Sequence, residues 1–157
     1  LTQIPKLASL ADPGKKMSKS LGDKHYISLF EEENRIVKKV RSAVTDTGDS
    51  QAMGAMSPGI ENLFNLIKAC EKEAEYNRLL QDFKQGELKY KDLKETVTEA
   101  LLELINPFRE RKADLLKDKA QVEQLALRYS EKAQDVASMT LRKVRQLTGL
   151  PEFRQEK

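Results

Sequence analysis

The residues of this chain best suited to chemistry gather in one stretch, DPGKKMSKSLGD, Asp12 to Asp23. Lys15, Lys16 and Lys19 supply mobile positive charge, Ser18 and Ser20 supply hydroxyl donors, and Gly14 and Gly22 let the backbone bend close to a ligand. This set suits a polyphosphate, because ammonium groups can neutralise charge developing on a departing pyrophosphate. A flexible loop can also close over a site only when substrate is present. It is not a Walker loop: Gly14-Lys15 is followed by Lys16 instead of Ser or Thr, and the upstream Gly is absent. A solvated Lys/Ser tail has the same composition, and on composition alone the tail is the commoner outcome.

Such a loop needs a scaffold, and 157 residues are enough to bury one core. With 39% hydrophobic and 34% charged residues and no Trp, the balance favours a charge-rich helical protein over a disordered chain. No apolar run approaches the roughly 18 residues that would cross a membrane, and no secretory h-region is present. Cys70 is the single cysteine and His25 the single histidine, which excludes an internal disulfide and leaves no zinc ligand set. A reducing, cytoplasmic setting is expected. The net charge of +3 permits an anionic partner without requiring one.

Periodicity then places the elements. EEENRIVKKVRSAV has acids first and bases last, the favourable order for a helix dipole, with Ile36, Val37, Val40 and Val44 on one face. TDTGDSQAMGAMSPG reads as a loop. Ser57 and Pro58 form a readable helix start, followed by a face of Ile60, Leu63, Phe64, Ile67 and Cys70. Tyr76, Leu79, Leu80 and Phe83 mark a further helix that Gly86 is placed to end. Tyr90 to Phe108 carries a long stripe in which Pro107 predicts a kink or break near Asn106. Val122, Leu125, Tyr129, Ala133, Val136, Thr140, Val144 and Leu147 make a second stripe, closed by Gly149 and Pro151. No alternating segment supports a sheet. The expected fold class is all-α, an antiparallel helical bundle with a non-helical N-terminal appendage.

The literal spelling of the loop carries a resemblance. KMSKS, Lys16 to Ser20, is identical to the second signature of class I aminoacyl-tRNA synthetases. YISLFEEENRIVKKVRSAVTDTGD, SPGIENLFNLI, INPFRERKADLL and SEKAQDVASMTLRKVRQLTGL resemble, in the same order, the segments that follow this signature in bacterial tryptophanyl-tRNA synthetases. The resemblance implies that residues 1–27 are the tail of a Rossmann catalytic domain, that 28–150 are a helical anticodon-binding domain and that 151–157 are a C-terminal tail. It implies ATP as substrate, with Mg2+ accompanying the nucleotide and no metal site of the protein's own. By position, Lys16 and Lys19 would stabilise the triphosphate and the leaving pyrophosphate. Ser18 and Ser20 would hold the loop or donate to phosphate, and Met17 would lie near the adenosine side. The implied partners are tRNA(Trp), through the helices, and L-tryptophan, with a homodimer formed mainly through a part of the family's chain outside these residues.

The family's first signature carries two histidines, whereas these 157 residues hold one, His25, expected to be an exposed loop residue. The tryptophan pocket likewise belongs to the Rossmann part. Alone, these residues are therefore expected not to activate tryptophan, and IPKLASLADPG is expected to be poorly ordered or to take non-native contacts. For tRNA, Arg109, Arg111 and Lys112, then Arg142, Lys143 and Arg145, are the candidate clusters, set against ordinary solvated charges. A tyrosyl-tRNA synthetase, a free-standing helical RNA-binding module and a bundle with a protein partner remain alternatives, since any bundle must bury such stripes.

Overall fold

The computed structural model describes residues 4, 6–45 and 55–151, so the sequence-predicted loop TDTGDSQAMGAMSPG lies largely outside the described residues. Among the described residues five α-helices follow two short 3-10 turns, at Lys19–Leu21 and Asp23–His25: α1 Glu33–Arg41, α2 Pro58–Ala69, α3 Glu73–Gln85, α4 Tyr90–Lys117 and α5 Lys119–Thr148. No strand forms among the described residues; an isolated antiparallel bridge joins Ala8 to Lys16. No described helix is long and apolar enough to cross a membrane. The all-α expectation holds. The chain divides into two compact units, Leu1–Glu110 and Arg111–Lys157.

In the first unit the predicted stripes meet in one core. Ile36 and Val40 of α1, Leu63, Phe64 and Ile67 of α2, Leu79 of α3, and Leu93, Val97, Leu101 and Ile105 of α4 are all buried. Phe64 and Tyr76 pack edge to face with centroids 5.5 Å apart, the arrangement that sets ring edge against ring face. The helix starts and stops behave as their residue types predict. The Ser57 hydroxyl oxygen accepts from the Ile60 amide, and Pro58 opens α2. Gly86 ends α3 in the left-handed region, at φ +75°, where an L side chain is disfavoured. Pro107 does not break α4, which runs on to Lys117. The proline removes one amide donor, while Leu101 and Ile105 keep the preceding turns packed in the core.

The second unit holds the end of α4 and all of α5, which starts on the Asp118 carboxylate, accepting from the Gln121 amide at 2.9 Å, and ends at Gly149, φ +71°. The second stripe is helical as predicted, but α5 contributes no buried residue: Leu125, Tyr129, Val136, Val144 and Leu147 are all exposed. Its periodicity marks an amphipathic helix.

One close approach decides how α1 and α2 fit. A Cβ on Gly59 would lie 2.2 Å from the Val44 carbonyl oxygen and 2.9 Å from that of Thr45, backbone atoms that cannot swing away. Gly59→Ala is therefore expected to lower stability by about 3 kcal/mol, the upper end for overpacking. Urea denaturation of the two proteins measures it; an unchanged midpoint would show that the α1–α2 link yields freely.

Candidate phosphate-binding loop

The segment leading into KMSKS is not a loose tail. Ser9 and Leu10 are 0% and 1% exposed, the reverse of the poor order expected for IPKLASLADPG. The chain folds back on itself: the Ser9 amide donates to the Lys15 carbonyl at 2.8 Å, and the Met17 amide to the Leu7 carbonyl at 3.0 Å. Asn62, buried on α2, clamps the incoming arm. Its Oδ1 accepts from the Ala8 amide at 2.9 Å and its Nδ2 donates to the Ala8 carbonyl at 3.1 Å. Buried backbone groups need partners, and here one side-chain amide supplies both. The Val44 amide adds a bond to the Leu10 carbonyl at 2.9 Å.

His25 belongs to this clamp, and it is half-buried instead of exposed. The Ser9 Oγ already accepts from the amides of Ala11 and Asp12, at 3.2 and 3.1 Å, and lies 2.8 Å from His25 Nδ1. With both lone pairs engaged, the hydroxyl has its proton left to give, so Nδ1 is the acceptor. Residues on either side of the signature are thereby tied together.

The signature residues then sort by direction. Lys16 and Lys19 are exposed, and among the described residues neither is ion-paired. Lys15 is different: its Nζ sits 2.9 Å from Asp12 Oδ2, and the hydrogen bond between them raises the lysine pKa and lowers that of the aspartate. The third cation of the motif is thus already neutralised, leaving two for a ligand. The Ser18 and Ser20 hydroxyls lie 2.8 Å apart, and Ser18 Oγ accepts from the Ser20 amide, opening the 3-10 turn that carries Lys19. Met17 is half-buried and packs against the core.

Downstream, Lys39 of α1 reaches back under the loop. Its ammonium lies 2.7 Å from Glu31 Oε1, donates to Glu31 Oε2 at 2.9 Å, to Asp23 Oδ1 at 3.0 Å and to the Tyr26 carbonyl at 3.1 Å. Arg35 completes the group, donating to Asp23 Oδ2 at 2.8 Å. Two cations thus face two carboxylates. Burial alone would lower the Lys39 pKa, and the bonds to Glu31 and Asp23 outweigh it and raise the value; hydrogen bonds from Lys39 and Arg35 hold the Asp23 carboxyl low.

The basic clusters fare unevenly. Arg109 is only 26% exposed at its side chain and pairs with Glu33 at 3.3 Å and Glu32 at 3.8 Å, which ties α4 to the start of α1. Arg142 and Lys143 are exposed on α5. Of the positioning residues, Asn62, Ser9, Lys39 and Glu31 were not singled out from the sequence. Each carries an ordinary residue type with no motif, and only its burial marks it.

These features define a class I aminoacyl-tRNA synthetase signature loop on a helical scaffold, and the chain belongs to the tRNA synthetases class I (W and Y), whose family profile matches residues 2–106. The named relatives sharpen this. The tryptophan–tRNA ligase of Mycobacterium leprae is 35% identical over 156 residues, covering 95% of this chain, and that of Clostridium perfringens is 34% identical over 146 residues, covering 92%. The chain spans 45% and 43% of the length of these two relatives. In three dimensions it is similar to the tryptophanyl-tRNA synthetase of Mycoplasma pneumoniae, with TM-score 0.73 at 28% identity over 93% of this chain and 44% of that one. The Campylobacter jejuni tryptophanyl-tRNA synthetase, solved with ADP and tryptophan, shares the fold at TM-score 0.69 and 22% identity, over 96% of this chain and 45% of that one.

The Asn62 clamp is the testable element here. Asn62→Ala leaves the Ala8 amide and carbonyl without partners, and it is expected to cost about 2 kcal/mol. Hydrogen exchange at the Ser9 and Met17 amides should quicken more than exchange in α4. Equal protection in both proteins would show that the clamp is redundant.

Proposed function

We propose that this chain provides the ATP-phosphate loop and the tRNA-facing helices of a tryptophan–tRNA ligase. The observation that carries the reading is the literal KMSKS, held in a folded loop that leaves Lys16 and Lys19 exposed and unpaired among the described residues, in a member of the W and Y family. In the proposed reaction a tryptophan carboxylate oxygen bonds to the α-phosphorus of ATP, the bond from that phosphorus to the β-bridging oxygen breaks, and pyrophosphate leaves with the electron pair. Lys16 and Lys19 meet the negative charge on the triphosphate, which grows at the bridging oxygen as that bond breaks. Ser18 and Ser20 hold the turn beneath Lys19 or donate to phosphate, and Met17 lies toward the adenosine. Mg2+ accompanies the nucleotide. The tryptophanyl adenylate then passes its aminoacyl group to tRNA(Trp).

In this reading residues 1–27 are the end of the nucleotide-binding domain and 28–150 the helical part that meets the tRNA, with the enzyme working as a cytoplasmic homodimer. The names of the relatives and the matching fold support the assignment to a tryptophan–tRNA ligase. These 157 residues hold a single histidine, so the two-histidine first signature has to come from another part of a catalytic assembly.

The test is tryptophan-dependent ATP–pyrophosphate exchange by this chain, alone and mixed with the nucleotide-binding domain of a relative. The chain alone is expected to be silent and the mixture active. Lys19→Ala in the mixture should lower exchange by about 10^2-fold, as for removal of one group that stabilises transition-state charge. Exchange driven by tyrosine alone would move the chain to the tyrosyl branch, and unchanged activity of Lys19→Ala would overturn the role given to the loop.

The helices make a separate prediction. If α5 meets tRNA phosphates, reversing charge at Arg142 and Lys143 to Glu should weaken tRNA binding about tenfold and flatten its salt dependence by a slope of ~1 to 2. Binding that is unchanged at low salt would exclude this face.

A further inference from the structure

Among the described residues, the buried ionisable side chains are Lys39 and Glu31, at 7% and 8% exposure. Taking two charges out of water is costly, and a well-packed apolar pair would fill the same space at no such cost. What an apolar pair cannot do is tie three separate groups at one point. An ammonium has three donors and no acceptor, and Lys39 brings them to bear on the Glu31 carboxylate, the Asp23 carboxylate and the Tyr26 carbonyl. Its Nζ also stands 4.7 Å from the centroid of the Tyr26 ring. The stretch from Asp23 to Tyr26 is thus fastened to α1.

Directly before that fastened stretch comes Gly22, at φ +108°. A Cβ there would meet nothing within 4 Å, so the position needs glycine for its backbone conformation and not for space. Gly22 separates the turn that carries Lys19 from the turn that begins at Asp23, and it accepts from the His25 amide and donates to the Lys19 carbonyl, each at 3.1 Å. Lys19 itself stands 6.0 Å from the same Tyr26 ring that Lys39 flanks.

We propose that Lys39 is a positioning residue for Lys19: through Asp23 and Tyr26 it fixes the downstream pivot of the signature loop, so that the Lys19 ammonium swings about Gly22 from a set origin toward phosphate. The inference rests on the reading of the loop as the ATP-phosphate loop. Lys39 touches no substrate in it. Its effect is on where Lys19 starts and how far it strays.

The test compares Asp23→Asn, Lys39→Met and Lys39→Arg by thermal melting and by amide exchange at Gly22 and His25 in this chain. The same variants then enter the mixed pyrophosphate-exchange assay. Asp23 is half-exposed, so Asp23→Asn should move the melting midpoint by less than about 2 °C. It should nevertheless quicken exchange at Gly22 and His25 about tenfold and raise the KM for ATP by a similar factor, with the KM for tryptophan unchanged. Lys39→Met should show the same split and also melt lower, and Lys39→Arg should recover most of the loop protection. Loop exchange that is unchanged in Asp23→Asn, or that rises only in step with a falling midpoint, would overturn the proposal. So would an ATP KM that stays put while the loop loosens. Lys19→Ala reports separately on the ATP reading: if it abolishes exchange while the Asp23 and Lys39 variants do not change the ATP KM, only the positioning role has failed.

Discussion

A lysine ammonium held out of water is the constraint on which the candidate site depends. Lys39 is tolerated in the interior of the first unit only because carboxylates and a carbonyl surround it. Those partners come from residues 23 to 31, just beyond the signature, so the requirement to satisfy one buried charge dictates the path of the chain there. Arg35 balances the group by bonding the outer oxygen of Asp23 and reaching Glu31. On the incoming side, Asn62 and Ser9 do the equivalent with neutral hydrogen bonds. The loop is therefore held at both ends by polar contacts whose geometry is directional, where apolar packing would have left its register free to slide.

This explains how a segment can be exposed and still defined. Between the two anchors Met17 packs against the core, and Lys16 and Lys19 are exposed to solvent. The Asp12–Lys15 pair withdraws one cation from the motif, so the loop offers a ligand two lysines and not three. For a polyphosphate this arrangement is selective in a simple way. The unpaired ammonium groups gain from a phosphate at no cost in broken ion pairs, whereas Lys15 would first have to leave Asp12.

The fold was legible wherever a rule acts locally. Ser57 with Pro58, Gly86 and Gly149 mark helix ends because each satisfies or relieves a backbone group within a turn of itself. The stripes of α1 to α4 are legible because a core-facing helix must repeat its apolar residues every three or four positions. Of the kink or break expected at Pro107, the break does not occur, because one lost amide bond does not end a helix whose neighbouring turns are packed. The anchors of the loop were not legible at all. Asn62 and Lys39 look like surface residues in sequence, and His25 looks like a bystander, because their roles depend on partners 8 to 54 positions away. A motif names the residues that meet a ligand and is silent about those that hold the motif still.

The contrast between α4 and α5 shows the other limit of periodicity. Both helices carry an apolar stripe at the same spacing, yet Leu93, Val97 and Leu101 are buried while Leu125, Val136 and Val144 are exposed. An amphipathic pattern records that a face is apolar, and burial records which surface meets it. For α4 that surface is in the same compact unit for Leu93, Val97, Leu101 and Ile105, while Tyr90, Leu104 and Phe108 of the same stripe are exposed. For α5, caps at Asp118 and Gly149 and a length of 30 residues support the helix itself, since helix formation becomes favourable beyond about 12 to 15 residues. The stripe on α5 is accordingly a statement about helix geometry, and what it packs on is a separate question that periodicity does not answer.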